Sequence, residues 1–149
     1  MTRDGTSAWG RAALPSIMLG AAALDLISRE VAVRLGVELR ANAGVAFGLL
    51  RGRPGLATIL SASVTLLLVA WILLSRAGPV RVRAALSVVA GGAAANLVQR
   101  LVHGAVMDWI PLPFSEAFIQ GGLRFDVADV EIALGAVLAA LAASYRQDA

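Results

Sequence analysis

The sequence predicts an all-α polytopic membrane protein that forms a single integral membrane domain over residues 1–149. Three observations carry this prediction. Hydrophobic residues make up 58% of the chain, above the roughly 45–50% that is usual in soluble domains. Charged residues make up only 15%, too few to cover a soluble globule of this size. The apolar residues gather into four stretches that are long enough to be transmembrane helices.

The four predicted spans cover about residues 12–31, 55–75, 82–102 and 127–145. The second is the clearest, because no charged residue lies between Arg53 and Arg76 and about 20 helical residues cross the hydrocarbon core of a bilayer. Each of the others is apolar through its middle and polar at one end. The first also has the pattern of a cleavable signal peptide, since Arg3 and Arg11 precede a short apolar run that ends in Ala21-Ala22-Ala23.

Four alternating spans place the C-terminal ends of helices one and three at the same membrane face as the N-terminal ends of helices two and four. The polar residues of the spans collect at these ends: Asp25, Ser28 and Arg29; Asn96, Gln99 and Arg100; Asp126 and Asp129. The two long connections, about residues 32–54 and 103–125, lie on the same face. The sequence therefore predicts that the chemistry takes place at one membrane surface.

The charged residues indicate an orientation and a kind of partner. All 13 basic residues are arginine and the net charge is +3, which suits anionic lipid head groups. Their scatter between apolar blocks argues against nucleic acid as a partner. The short turn at about residues 76–83 carries three arginines and no acid, so the positive-inside rule places it, together with both termini, in the cytoplasm.

Two acids stand out against this background, because placing a charged carboxylate near hydrocarbon costs free energy and therefore indicates a functional role. Asp108 lies in the loop after helix three, and Asp129 lies about one turn inside helix four. Two carboxyls that approach closely cannot both ionise, so one holds a proton while the other can activate water. The alternative is a solvated loop acid at Asp108 and a first-turn acid at Asp129 that the helix dipole favours.

Four sequence strings accompany these acids: NAGVAFG at residues 42–48, GGAAANLVQR at 91–100, GAVMDW at 104–109 and FDVAD at 125–129. In this order and spacing they resemble the motifs of lipoprotein signal peptidase, or signal peptidase II. That family shows N-x-G-A-A-F-G, then G-G-x-x-G-N-x-x-D-R leading to G-x-V-x-D-F, and then F-N-x-A-D. The resemblance covers the chain from Asp25 to Asp129.

The resemblance implies a four-helix aspartyl endopeptidase of the bacterial cytoplasmic (inner) membrane that removes the signal peptide from diacylglyceryl-modified prolipoproteins. Asp108 and Asp129 match the catalytic aspartates. Other residues match positions that bind substrate or support the dyad: Asp25, Arg29, Asn42, Gly44, Gly92, Asn96, Arg100 and Asp126. The family also carries a small extracytoplasmic β-platform, for which we expect strands at Val37–Arg40 and Val106–Ile110.

Two positions depart from the family's pattern. Gln99 stands where the family has Asp, which removes a negative charge that could orient Arg100. Asp126 stands where the family has Asn, and it either caps helix four, as Asn would, or adds a like charge beside Asp129 that favours protonation of one of the two. Together the departures indicate a divergent member or paralogue, with altered specificity or lost activity as a consequence to test.

The predicted function is therefore an aspartic endopeptidase without metal or organic cofactor, acting as a monomer. Its partners are lipidated signal peptides and membrane lipids. Two rivals remain: an inactive relative that binds lipidated peptides without cutting them, and a small proton-coupled transporter, for which an acid near the midplane of a span is expected.

Overall fold

Four helices make up most of the computed structural model, which describes residues 8–44, 50, 52–74, 78–119 and 122–144. The helices are α1 (Ala8–Arg34), α2 (Pro54–Leu74), α3 (Val80–His103) and α4 (Val127–Ser144). Each begins and ends within about one turn of a predicted apolar stretch. The connection between α3 and α4 carries three short strands and a single 3-10 turn at Ser115–Ala117.

Three of these helices are candidate membrane spans. Within the described residues, α2, α3 and α4 are long and apolar enough to cross a membrane, and α1 is not among them. The C-terminal half of α1 carries Asp25, Arg29, Glu30 and Arg34. On α2, Leu66, Leu67 and Leu74 are 65%, 72% and 81% exposed, which is a surface suited to lipid rather than to water.

Glycines in left-handed conformation end α1 and α3. Gly36 has a φ of 72°, its N–H donates to the carbonyl of Val33, and the N–H of Val37 reaches back to the carbonyl of Ala32. This is the hydrogen-bond pattern of a Schellman motif. Gly104 has a φ of 74° and donates its N–H to the carbonyl of Arg100. Both helices therefore stop sharply, and the chain turns into the two long connections.

Two small antiparallel ribbons follow these turns. In the first, β1 (Arg40–Asn42) pairs with β2 (Val106–Asp108), with Arg40 opposite Asp108. In the second, β3 (Ile110–Pro111) pairs with β4 (Arg124–Phe125).

The expected strand bounds are corrected by this structure. The strand predicted at Val37–Arg40 begins only at Arg40, because the N–H of Val37 already closes the end of α1. The strand predicted at Val106–Ile110 is divided at Trp109, whose N–H donates to the carbonyl of Phe125. The division places β2 and β3 in two different ribbons.

The helix α3 lies against each of the other three helices. Small residues let the backbones approach closely, as in other membrane helix pairs. A methyl group built on Gly91 would lie 2.5 Å from the Cβ of Ala21 and 2.5 Å from the carbonyl oxygen of Met18 on α1. One built on Gly135 of α4 would lie 2.9 Å from the carbonyl oxygen of Ala85 on α3.

Replacing Gly91 by alanine is expected to lower the stability of the protein by about 1–3 kcal/mol, because the methyl group forces α1 and α3 apart. The measurement is thermal unfolding in detergent. Gly20→Ala is the matched control, since a methyl group on Gly20 of α1 meets nothing within 4 Å. Equal unfolding temperatures for the two variants would contradict the proposed contact.

Candidate active site

Acidic side chains from separate elements converge where α1, α3 and α4 meet β2. A carboxylate oxygen from each of Asp108, Asp126 and Asp129 lies within 4.8 Å of the other two. Asp25 is linked to Asp126 through one shared hydrogen-bond partner, the amide of Gln99. Asp25, Asp108 and Asp126 are buried, whereas Asp129 is exposed. The group therefore contains one solvent-exposed carboxyl and three that are withdrawn from solvent.

The first turn of α4 positions Asp129. The N–H of Asp129 donates to Oδ1 of Asp126 at 2.9 Å, and the N–H of Asp126 donates back to Oδ2 of Asp129 at 3.4 Å. This reciprocal arrangement is a capping box, and it confirms Asp126 as the cap of helix four. The N–H of Ala128 donates to Oδ1 of Asp25 at 3.0 Å. Two acids thus satisfy N–H groups that the start of a helix leaves without partners.

The short ribbon positions Asp108. Asn42, at the end of β1, donates from Nδ2 to Oδ2 of Asp108 at 3.1 Å. The orientation of its amide is set by Gly44, whose N–H donates to Oδ1 of Asn42 at 3.1 Å. The other oxygen of Asp108 is buried without a partner among the described residues. One oxygen of this carboxyl is therefore held by Asn42, and the other has hydrogen-bonding capacity that no described residue uses.

Arg100 and Asn96, both on α3, complete the polar surroundings of the acidic group. The buried guanidinium of Arg100 donates to the carbonyl of Gly44, which ties the loop after β1 to α3. The side chain of Asn96 lies close enough to the Asp129 carboxyl to interact with it. Because these two residues are four apart, they lie on the same face of the helix. They bring one amide and one positive charge to the acidic group.

Gln99 makes contacts that differ from the sequence interpretation. Its Nε2 donates to Oδ2 of Asp25 at 3.1 Å and to Oδ2 of Asp126 at 3.4 Å, and its Oε1 accepts the N–H of Met107 at 2.9 Å. Arg100 is not among these partners, so the Gln99 amide does not orient its guanidinium. Adjacent helical residues point in different directions, and Gln99 points at the acids and at β2.

Burial and mutual repulsion shift the titration of the loop carboxyls. Burial, with a further contribution from the charge of Asp129, raises the pKa of Asp108 to about 7, although Asn42 and Arg100 partly oppose the shift. Burial, followed by the charges of Asp129 and Asp25, raises the pKa of Asp126 to about 8. The repulsion between like charges that was expected at Asp126 thus contributes to its raised pKa, and burial contributes more.

The remaining predicted site residues support the group from further away. Arg29 lies one turn after Asp25, and its charge acts on that carboxyl. Gly92 lies at the contact between α3 and α4, where a methyl group would come within 2.8 Å of the carbonyl oxygen of Ala128. Gly44 is buried and accepts the Arg100 hydrogen bond. Residues 45–48 of the NAGVAFG string lie outside the described residues.

Sequence reasoning missed Glu131. It is 7% exposed, and neither carboxylate oxygen has a hydrogen-bond partner among the described residues. It packs beside Gly92, with Oε2 3.1 Å from the position of a methyl group there. The available signal was an acid inside an apolar run.

Comparison with known proteins identifies the family. A family model described as Signal peptidase (SPase) II matches residues 15–145. The chain belongs to the signal peptidase II family. The resemblance of the four motifs is thereby confirmed, and family membership together with the apolar helices indicates a multi-pass membrane protein.

Curated lipoprotein signal peptidases are similar to this member over part of their length. The protein of Cellvibrio japonicus is 35% identical over 104 residues, which are 67% of this chain and 59% of that protein. The protein of Shewanella baltica strain OS155 is 36% identical over 101 residues, which are 65% of this chain and 57% of that protein. The match therefore spans less than two thirds of either relative.

Two solved structures, each described as a bacterial membrane enzyme studied by the in meso method, share the fold of this chain. One has a TM-score of 0.74 at 19% identity and covers 91% of this chain and 90% of its own. The other has a TM-score of 0.69 at 19% identity and covers 88% and 92%. At this identity the likeness establishes the architecture.

Replacing Asp108 by asparagine is expected to raise the unfolding temperature more at pH 8 than at pH 5. Burial raises the pKa of Asp108 from 3.8 to about 7, so between these values the folded wild type binds a proton that the unfolded chain has lost. Its stability therefore falls as the pH rises through this window, by at most about 1.4 kcal/mol per pH unit. The amide does not titrate.

Thermal unfolding in detergent at several pH values measures the difference. Glu116→Gln is the control, because Glu116 is an exposed carboxyl of the same connection. A stability difference between wild type and Asp108→Asn that does not change with pH would contradict the raised pKa.

Proposed function

We propose that this protein is a membrane aspartyl endopeptidase that removes the signal peptide from diacylglyceryl-modified prolipoproteins. The observation that carries the proposal is the approach of the Asp108 and Asp129 carboxyls to within 4.8 Å, although they belong to different elements. Membership of the signal peptidase II family supports the same reaction. Two close carboxyls of which one is protonated are the machinery of aspartic proteolysis.

In this proposal the surroundings of the two aspartates assign them different roles, one as the acid and the other as the base. Asp108, whose pKa is raised to about 7, carries the shared proton. Exposed Asp129 takes a proton from water as the water oxygen attacks the carbonyl carbon of the scissile peptide. Asp108 then gives its proton to the amide nitrogen as the C–N bond breaks. The cap at the start of α4 and the Asn42 amide hold the two carboxyls in place throughout.

The surrounding residues bind substrate or hold the dyad. In the proposal, Asn42, Asn96 and Arg100 orient the peptide backbone or the loop that carries Asp108. Asp25, Arg29 and Asp126 support the start of α4, and Gly44 and Gly92 permit the close approaches. The apolar faces of the helices accept the signal helix and the acyl chains.

The protein proposed here spans the bacterial cytoplasmic (inner) membrane four times as a single domain and acts as a monomer. The predicted spans correspond to α1, α2, α3 and α4. The termini lie in the cytoplasm, and the acidic group lies near the extracytoplasmic face, where lipidated substrates emerge. The β-platform of β1 to β4 then stands outside the hydrocarbon, next to the dyad.

Asp108→Asn and Asp129→Asn are each expected to lower cleavage of a diacylglyceryl prolipoprotein by at least about a hundredfold, because each removes one acid–base group. The measurement is release of signal peptide in detergent, with the unlipidated precursor as a second substrate that should be spared. Glu116→Gln, at an exposed acid, should retain wild-type activity.

Other outcomes would favour the rivals. Full activity in either aspartate variant would overturn the aspartyl mechanism. Tight binding of the lipidated peptide by the wild type without cleavage would identify an inactive relative. Substrate-driven proton flux in proteoliposomes without cleavage would identify a transporter.

Chelation by EDTA is expected to leave the cleavage rate unchanged. The carboxyls of Asp108, Asp126 and Asp129 are close enough to one another to hold a cation. However, the pKa values of Asp108 and Asp126 are raised to about 7 and about 8, so near neutral pH about half of the Asp108 carboxyls and most of the Asp126 carboxyls hold a proton, and a protonated carboxyl binds a cation poorly. Loss of activity with EDTA, restored by a divalent metal, would show that the cluster is a metal centre instead.

A further inference from the structure

We propose that Gln99 and Asp126 form one complementary hydrogen-bonding unit that positions both candidate catalytic carboxyls. In this proposal the two departures from the signal peptidase II motifs compensate each other rather than damage the site. The inference rests on the proposed function, because it assigns positioning residues to the same pair of aspartates.

The amide of Gln99 contacts both elements that carry the dyad. Its Oε1 accepts the N–H of Met107 at 2.9 Å, and Met107 is the residue before Asp108 on β2. Its Nε2 donates to Oδ2 of Asp126 at 3.4 Å, and Asp126 is the cap of the helix that carries Asp129. One side chain therefore bridges the strand and the helix whose carboxyls must meet.

Asp126 links Gln99 to Asp129 through its two carboxyl oxygens. While its Oδ2 faces Gln99, its Oδ1 accepts the N–H of Asp129 at 2.9 Å. The N–H of Asp126 donates in turn to the Asp129 carboxyl at 3.4 Å. The position of the Asp129 carboxyl relative to β2 thus depends on a continuous path of hydrogen bonds through Gln99.

The chemistry of the two groups is matched. The Met107 N–H fixes the orientation of the Gln99 amide, with its oxygen towards β2 and its NH₂ towards the acids. The group at position 126 must then offer two acceptors, one to that NH₂ and one to the N–H of Asp129, and the two oxygens of a carboxyl keep acceptor capacity whether the group is ionised or protonated. An amide at position 126 would use its only acceptor oxygen for the N–H of Asp129. Its own NH₂ would then face the NH₂ of Gln99, and two donors cannot form a hydrogen bond with each other.

The reverse pairing obeys the same rule. A carboxylate at position 99 offers only acceptors, so it needs a donor at position 126, and an asparagine there supplies one. The family's motifs have that pairing, Asp followed by Asn, whereas this chain has Gln followed by Asp. Amide and carboxyl have exchanged positions, so that in either arrangement one residue supplies a donor and the other an acceptor.

Because the side chains of Gln99 and Asp126 are buried, a donor on one must be paired with an acceptor on the other. Gln99 is 1% exposed and Asp126 and Asp25 are each 0% exposed. Water therefore cannot supply the hydrogen bond that two facing donors or two facing acceptors would lack. Asp25 also accepts from Nε2 of Gln99 at 3.1 Å. A carboxylate at position 99 would therefore face two further carboxyls, and only the one at position 126 can be relieved by an amide there.

The test is a set of three isosteric variants, Gln99→Glu, Asp126→Asn and the two together, with kcat and KM measured on a diacylglyceryl prolipoprotein. We expect Gln99→Glu to lower kcat at least about tenfold with KM nearly unchanged, because a buried donor is lost. Asp126→Asn should lower kcat less. The double variant should recover about threefold or more over Gln99→Glu and stay below wild type, because Asp25 keeps only its Ala128 donor.

Ser87→Ala is the control, since Ser87 is a buried polar residue of α3 whose hydroxyl donates within its own helix, to the carbonyl of Arg83 at 2.9 Å. It should leave kcat unchanged. A double variant whose loss equals or exceeds the product of the two single losses would overturn the proposal. So would single variants that change KM and spare kcat.

Thermal unfolding of the same variants separates this proposal from the proposed function. If the wild type cleaves no prolipoprotein, the proposed function fails and the positioning role fails with it. The unit itself is still tested, because the double variant must then unfold at a higher temperature than Gln99→Glu. An equal or lower temperature would overturn the unit as well.

Discussion

Carboxyl groups brought together in a buried junction between helices lose water and repel each other, so each needs a donor that the fold must supply. In this protein the donors come from three directions. Backbone N–H groups at the start of α4 serve Asp25 and Asp126, Asn42 on β1 serves Asp108, and Gln99 on α3 serves the two most buried acids. The arrangement of helices and strands around the site follows from this requirement.

Close packing of α3 makes those donors available. The two adjacent glycines of this helix admit α1 on one side and α4 on the other, so that hydrogen bonds of about 3 Å can span the junction. Gly91 and Gly92 lie one to two turns before Asn96, Gln99 and Arg100. The same helix therefore sets the spacing of the bundle and delivers the polar groups that the acids need.

Prediction from sequence succeeded where a local pattern decides the structure and failed where distant partners decide it. The apolar runs located all four helices, since length and hydropathy are properties of each segment alone. The strand expected from Val37 was misplaced because its N–H is used by a carbonyl of α1. The role of Gln99 could not be read from its neighbour Arg100, because one of its partners, Asp25, lies 74 residues away along the chain.

The sequence by itself determined the membrane character of the protein, the positions of its helices, the family motifs and the concentration of acids at one face, because these depend on composition and on order along the chain. Only the tertiary structure decided that Asp108 lies beside Asp129, that Asp25 caps α4, and that Gln99 faces Asp126. Those contacts depend on helix spacing and on the register of a short ribbon. A buried polar group, once its water is removed, must pair with whichever group the fold brings within reach.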